Sequence, residues 1–298
     1  MSFLVKLSQK HLKIYSNPSK FISQRRKFSC EDQFAKCKVV LINGGGGVTG
    51  QAFASLFLKS GAKAVVIADC ERNECICQLM EKYGGDRLVF EKVDAASKAS
   101  LEGVFKSTVR NHGHLDFVVN NARFMSIDNW QKTICINNFG LVLGTFFGLK
   151  YMGLQKCKGV GGTIVNVSNL AALEPFFPVP VYTGAGHFLL QFTRGMGNNF
   201  FYKKSNVRIM GLITASIHPT ELSGALPKDS CFGDLGNLSE EMAKMVYNLP
   251  THDCRTFELF MDHVIKEGQT GDIWVAEGID VFKIRAYDRN KLKCKAAA

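Results

Sequence analysis

The chain has 298 residues, 46% of them apolar and 21% charged, with a formal net charge of +11. That length and apolar share suffice to bury one full-sized α/β core. No run of eighteen apolar residues occurs, so nothing in the sequence reads as a transmembrane helix. The ten cysteines form no C-x-x-C pair, which argues against a disulfide framework or a zinc site and for reduced, mostly buried thiols.

The positive charge is uneven. Residues 1–30 hold Lys6, Lys10, Lys13, Lys20, Arg25, Arg26 and Lys27, and the first acid is Glu31. A basic, acid-free, hydroxyl-containing leader with Phe3, Leu4, Leu7 and Ile14 reads as a mitochondrial transit peptide, cut near Arg26-Lys27-Phe28-Ser29. The expected location is therefore mitochondrial. The alternatives are a disordered basic tail on a cytoplasmic protein, or an arm that touches nucleic acid. The nucleic-acid reading is weak, because most of the excess charge would leave with the leader. A secretory signal is excluded, since no seven-residue apolar core follows the first charges.

From Lys38 onward apolar runs alternate with helical patterns. Strands are expected at 39–42, 64–68, 88–90, 115–119, 162–167, 207–212 and 272–276, and helices at 51–60, 72–83, 98–112, 129–156 and 182–201. Continuous apolar strands separated by helices mean a parallel sheet covered on both faces. Right-handed crossovers then give a Rossmann-type doubly wound α/β fold. No linker or repeat interrupts residues 36–298, so a single dinucleotide-binding domain is expected there.

Asn43-Gly44-Gly45-Gly46-Gly47-Val48-Thr49-Gly50 joins the first strand to the first helix. Glycines at this point let backbone N–H groups approach a pyrophosphate at a helix N-terminus. Asp69 ends the second strand, nineteen residues after Gly50. A carboxylate there accepts from ribose hydroxyls and repels a 2′-phosphate, which favours NAD over NADP. The bland reading of Asp69 is a helix N-cap. Asp94 ends the third strand, within reach of an adenine, and Asn120-Asn121-Ala122 ends the fourth.

Taken together, these residues resemble the short-chain dehydrogenase/reductase family over roughly residues 38–290. The nearest branch is that of NAD-dependent 15-hydroxyprostaglandin dehydrogenases and insect alcohol-dehydrogenase-like proteins. Leu115-Asp116, Val119 to Ala122, Asn129-Trp130, Ile136-Asn137 to Tyr151-Met152, Pro180-Val181-Tyr182 and Phe192-Thr193-Arg194 carry that likeness. The resemblance implies oxidation of a secondary alcohol with NAD, and a homodimer pairing through the two long helices after strands four and five. It also implies cofactor contacts at Gly44, Gly47, Gly50, Asp69, Asp94, Asn120 and Ile217.

The family's chemistry uses a tyrosine base, a lysine four residues later, a serine thirteen residues earlier and an asparagine that organises water. Tyr182 stands at the tyrosine position and Asn137 at the asparagine position. The serine position is Asn169, and the lysine position is Gly186. An unaided tyrosine titrates near 10, so about 0.1% is ionised at pH 7, and a base poised near 7 needs about 4 kcal/mol of extra stabilisation. Gly186 supplies none of it, and His187 lies about 100° away around the helix. Asn169 is a softer loss, because its amide can still donate to a carbonyl oxygen.

Val48 occupies the second loop-glycine place, where a side chain crowds a dinucleotide, so weakened NAD binding is expected. Arg123 replaces the glycine after Asn120-Asn121-Ala122, and Thr214-Ala215 stands where a Pro-Gly pair usually follows the sixth strand. Two classes of function follow. One is an oxidoreductase of apolar secondary alcohols or ketones with impaired catalysis, and the other a pseudoenzyme keeping the fold, and NAD, for a binding or assembly role.

Overall fold

A computed structural model describes residues 33–126, 128–154, 159–215, 217 and 238–286. The basic leader, including its expected cleavage point, lies outside the described residues, as do residues 287–298 of the expected domain.

One sheet of eight strands organises the chain, in the order β3-β2-β1-β4-β5-β6-β7-β8. The strands are β1 (Val39–Asn43), β2 (Ala64–Asp69), β3 (Leu88–Lys92), β4 (Phe117–Asn120), β5 (Gly162–Asn169), β6 (Val207–Thr214), β7 (Ile273–Glu277) and β8 (Asp280–Lys283). The first seven are parallel, and β8 closes the edge antiparallel to β7. The fold is thus the expected single α/β domain with a doubly wound sheet. Strand order reverses between β1 and β4, and a crevice opens there at the carboxyl ends of the strands.

The helices are α1 (Val48–Lys59), α2 (Glu74–Tyr83), α3 (Lys98–His112), α4 (Trp130–Ile134), α5 (Leu141–Met152), α6 (Pro180–Met196), α7 (Asn199–Ser205), α8 (Leu238–Tyr247) and α9 (Cys254–Glu267). A π-helical turn, Cys135–Gly140, joins α4 to α5. One apolar layer, with Phe53, Phe57, Phe257 and Phe260, fills the space between the sheet and α1 and α9. A second, with Phe105, Phe147 and Tyr151, packs under α3 and α5.

Several boundaries differ from the sequence reading, each for a local reason. α1 starts at Val48 because Gly47 takes the N-cap position with extended dihedrals. The expected helix 182–201 is two helices. A β-carbon at Gly197 would lie within 2.5 Å of the Gly271 backbone, and Asn198 starts α7 afresh by accepting from Phe200 N. The fold also contains β8, α8 and α9, which the sequence pattern does not announce. Among the described cysteines, Cys37, Cys70, Cys75, Cys135 and Cys254 are exposed and Cys77 is half-buried. The expectation of mostly buried thiols is therefore overturned: these residues sit at turns and on the outer sides of helices.

Among the described residues, the helical run Trp130–Met152 is the one long and apolar enough to cross a membrane by length and composition, with a mean hydropathy of 1.2. Asn137, Asn138 and other polar residues break its apolar run. Its α5 segment packs against β4, β5 and α3, as a core helix does. Its outer side leaves Phe139 and Phe146 exposed, and Phe146 lies against Phe192 of α6.

Candidate active site

A cleft of about 950 Å³ runs along the carboxyl edge of the sheet, from Asp69 and Asp94 at one end to Asn169 and Tyr182 at the other. The glycine loop forms one lip. Gly44 has φ +78°, and a β-carbon there would collide with the Ala122 backbone, so the loop can lie against β4 only with glycine at this place. Asn121 Nδ2 donates to the Gly44 carbonyl (2.6 Å), fixing that contact. A β-carbon at Gly50 would lie 2.5 Å from Gly45 Cα. Gly47 is exposed and open, with nothing within 4 Å of the β-carbon position.

Asp69 is not a helix cap. Asn73 caps α2, accepting from Ile76 N. The Asp69 carboxylate accepts from Gly46 N (2.7 Å) and from its neighbour Cys70 N (2.7 Å). Gln51 and Asn73 both donate to the Gly46 carbonyl. The loop is thus clamped at Gly46 from three sides. A carboxylate offers about four lone-pair sites, so each oxygen keeps capacity for a ribose hydroxyl. Partial desolvation of the sulfur and the adjacent Asp69 push the Cys70 thiol up from its ordinary value, which disfavours its thiolate.

At the other end, Asn169 Nδ2 donates to Tyr182 Oη at 2.6 Å. The amide orientation is set by its other end, where Oδ1 accepts from Ala171 N (2.9 Å). Tyr182 lies among Ala171, Phe176 and Val179, with Met125 and Met245 beside them. A small recess between Phe176, Thr214 and Leu249 opens beside the pair. Gly186 adds no side chain one helical turn on, and the His187 ring donates from Nδ1 to its own helix at Thr183 O (3.2 Å).

Three residues expected at the site lie elsewhere in it or beneath it. Asn137 sits in the π-helical turn, and its amide both accepts from Phe124 N (2.8 Å) and donates to Phe124 O (2.9 Å). It therefore anchors the loop after β4, and it is not among the residues that line the cleft. Asn120 is buried in a chain of amides that stitches β1, β4, β5 and α6. Asn43 donates to Asn120 (2.9 Å), Asn120 to Asn166 (2.9 Å), and Asn166 to Thr193 (3.0 Å). Ile217 packs into the apolar layer under α1. The cleft wall is formed by Asn121 instead, whose buried Oδ1 has no partner among the described residues.

Val48 divides its side chain between the cleft wall and the apolar layer below α1, so it narrows the cleft without filling it. The elongated cleft, the acid at each adenosine-side position and the unpartnered Asn121 oxygen fit a dinucleotide. Gly44, Gly47, Asp69 and Asp94 line the space that would hold it, and Gly50 supports the loop from behind.

A family model for short chain dehydrogenases matches residues 38–230. The 15-hydroxyprostaglandin dehydrogenase, NAD(+), of Macaca fascicularis is 33% identical over 211 residues, 70% of this chain and 79% of that protein. Alcohol dehydrogenase 2 of Ceratitis capitata is 26% identical over 246 residues, 83% of this chain and 93% of that protein. Among solved structures, a short-chain dehydrogenase/reductase from Serratia marcescens superposes with a TM-score of 0.63 at 17% identity, covering 83% of this chain and 97% of that one. This last likeness is one of fold.

Proposed function

The chain belongs to the short-chain dehydrogenase/reductase family, whose membership implies a nicotinamide cofactor, and from that premise we propose that it binds NAD(H) in the Asp69–Tyr182 cleft and interconverts an apolar secondary alcohol and its ketone slowly. The observation that carries this reading is the Asn169–Tyr182 hydrogen bond at one end of the cleft whose other end is Asp69.

When bound, the nicotinamide supplies or accepts the hydride. The chain's own residues handle the oxygen and its proton. Ala171 N holds Asn169 Oδ1, so the Nδ2 hydrogens face Tyr182, and the second of them is available to a substrate oxygen. Tyr182 Oη, beside it, gives the proton to a carbonyl oxygen or takes it from an alcohol. Phe176, Val179, Met125 and Met245 make the surroundings apolar, which suits a hydrocarbon substrate and keeps bulk water away. Asn137 holds the Phe124 loop that carries Met125.

Position 186 contributes no ammonium, so the tyrosine is driven less strongly towards its ionised form than a lysine would drive it. Turnover at neutral pH is slow for that reason, and NAD binding is weakened by Val48. NAD is preferred to NADP because Asp69 faces the ribose. The exposed Phe146 and Phe188, which cluster with Phe192 on α5 and α6, support a homodimer through that face.

The test is a titration of the purified protein with NADH and NADPH, followed by NAD-linked oxidation of aliphatic secondary alcohols. Saturable NADH binding with slow, Tyr182-dependent turnover supports the reading. Binding with no turnover on any alcohol or ketone leaves the non-catalytic role, and no NADH binding removes the nicotinamide reading altogether.

A further inference from the structure

Arg123 spans the cleft. It leaves the loop after β4, and its Nη2 donates to Thr49 Oγ1 in the first turn of α1 (3.4 Å) while Nη1 donates to the Ser168 carbonyl at the end of β5 (3.4 Å). Thr49 is beside the glycine loop, and Ser168 precedes the Asn169 that touches Tyr182. The guanidinium therefore lies between the loop lip and the reacting end.

Both bonds are at the long limit and go to neutral oxygens, so they hold the guanidinium weakly. Among the described residues no carboxylate pairs with Arg123, although the side chain is half-buried and lines the cleft. Of the cleft-lining residues, the other cation is Lys132, and its ammonium lies over the Phe124 ring at 4.6 Å. A half-buried cation without a counter-charge is stabilised by an anion that enters its cavity.

The space beside it suits one kind of anion. Gly47, the N-cap of α1, makes no side-chain capping bond, and no acid occupies the first turn of α1. Nothing stands within 4 Å of the place where Gly47 would carry a β-carbon. The Arg123 backbone is held still, because Asn137 grips the next residue, Phe124, at both N and O.

Resting on the nicotinamide reading above and deepening it, we propose that Arg123 is a diphosphate-binding residue: on binding of a nucleoside diphosphate moiety its guanidinium leaves Thr49 Oγ1 and Ser168 O and pairs with the diphosphate oxygens. A guanidinium presents parallel N–H groups that match two phosphate oxygens, at the shorter distances of charge-assisted bonds. This contact compensates for the room that Val48 removes from the loop.

The experiment measures binding of NADH, ADP-ribose and adenosine by calorimetry and fluorescence to the full chain and to Arg123→Gln, Arg123→Lys and Arg123→Gly, with circular dichroism confirming the fold of each. Expected is a loss of tenfold or more in NADH and ADP-ribose affinity in Arg123→Gln, partial recovery in Arg123→Lys, and no change for adenosine, which has no phosphate. Equal ADP-ribose affinity in Arg123→Gln overturns the proposal, as does tighter NADH binding by Arg123→Gly, which would make the arginine a plug. In both of those outcomes the unaltered protein binds NADH, so the nicotinamide reading survives. If the unaltered protein and Arg123→Gly both fail to bind NADH and ADP-ribose, the two readings fall together.

Discussion

Gly186 and Ala172 touch. A β-carbon added at Gly186 would lie 2.8 Å from Ala172 Cβ and 3.0 Å from Ala172 Cα, closer than real β-carbons approach. Ala172 ends a buried 3-10 turn, Leu170–Ala172, that directly follows Asn169. The lysine position is thus filled from across the site, and restoring a lysine is not a local change.

Gly186→Lys alone is expected to destabilise the protein by about 1–3 kcal/mol, since overpacking against backbone forces a shift. The gain in helix propensity over glycine, up to about 1 kcal/mol, offsets part of this. Ala172→Gly added to Gly186→Lys removes the nearest atom and is expected to recover most of the loss. Urea unfolding of both single variants and the pair checks this. Equal stability of Gly186→Lys and the unaltered protein would show that the 3-10 turn yields freely.

Asp69 holds the glycine loop, and if it also meets the cofactor as proposed, its removal is expected to show both effects. Asp69→Ala should narrow the preference for NADH over NADPH, because the cleft loses the carboxylate that would accept from ribose hydroxyls. It should also lower stability by about 1–2 kcal/mol, because Gly46 N and Cys70 N lose their acceptor. Asp69→Asn keeps an acceptor oxygen and is expected to retain more of the stability than of the cofactor preference. Parallel melts and NADH/NADPH titrations separate the two effects. A preference unchanged in Asp69→Ala would free Asp69 from any cofactor role.

The doubly wound sheet was legible from Val39-Val40-Leu41-Ile42 and its successors because a strand buried on both faces must be apolar at every position. Asp69 and Tyr182 were legible because their spacing from the glycine loop and from Asn169 is a property of chain order. What chain order does not carry is which neighbour a side chain meets. Asn120 and Asn121 are adjacent, yet one is stitched into the sheet and the other lines the cleft, because β4 ends at Asn120 and the chain turns into the loop at Asn121. Arg123 reads as a mere replacement of glycine until Thr49 and Ser168, 74 and 45 residues away, are seen on either side of it. Gly186 likewise looks like a simple deletion of a lysine, and only the approach of Ala172 shows that the space has closed.

His252 is expected to make stability depend on pH. It is buried beside Phe257 and Phe260. Thr214 Oγ1 donates to the Ala215 carbonyl, so His252 Nε2 must donate to Thr214 Oγ1 (3.2 Å), leaving a buried Nδ1 with no partner among the described residues. Burial lowers its pKa to about 4, against about 6.5 in an unfolded chain. The unfolded state therefore binds the extra proton first, and stability falls as pH drops from about 6.5 towards 4, by on the order of 2 kcal/mol. His252→Leu should flatten this part of the curve in denaturant unfolding at stepped pH. An unchanged slope in His252→Leu would assign the effect to other groups.

On α5 and α6, Phe188 stacks on Phe192 with centroids 5.7 Å apart, and Phe146 lies 6.2 Å from Phe192. Phe146 and Phe188 remain 48% and 42% exposed, an apolar patch of the kind that association covers. Phe146→Glu is expected to raise the dimer dissociation constant at least tenfold by placing a charge in that patch. Sedimentation over a concentration series reads it. A protein that is monomeric before any substitution would refute the pairing.

The last expectation concerns the Asn169–Tyr182 pair. Asn169 Nδ2 donates to Tyr182 Oη, and a donor on that oxygen favours the tyrosinate. An amide donor is a neutral group, however, and contributes far less than an ammonium. Alcohol oxidation is therefore expected to be slow at pH 7 and to speed up as pH rises, because base catalysis needs the deprotonated phenol. Asn169→Leu removes the donor without shrinking the side chain much, and should cut the rate tenfold or more while leaving NADH affinity within about twofold. Asn169→Ser with Gly186→Lys and Ala172→Gly should move the rise towards neutral pH, with effects far from additive, because the groups serve one proton transfer. Steady-state rates across pH for each variant, with Tyr182→Phe as the blank, provide the measurement. Brisk turnover at pH 7 by the unaltered protein, abolished in Tyr182→Phe, would show that another group drives ionisation. Arg123, in the same cleft, would then be the first residue to replace.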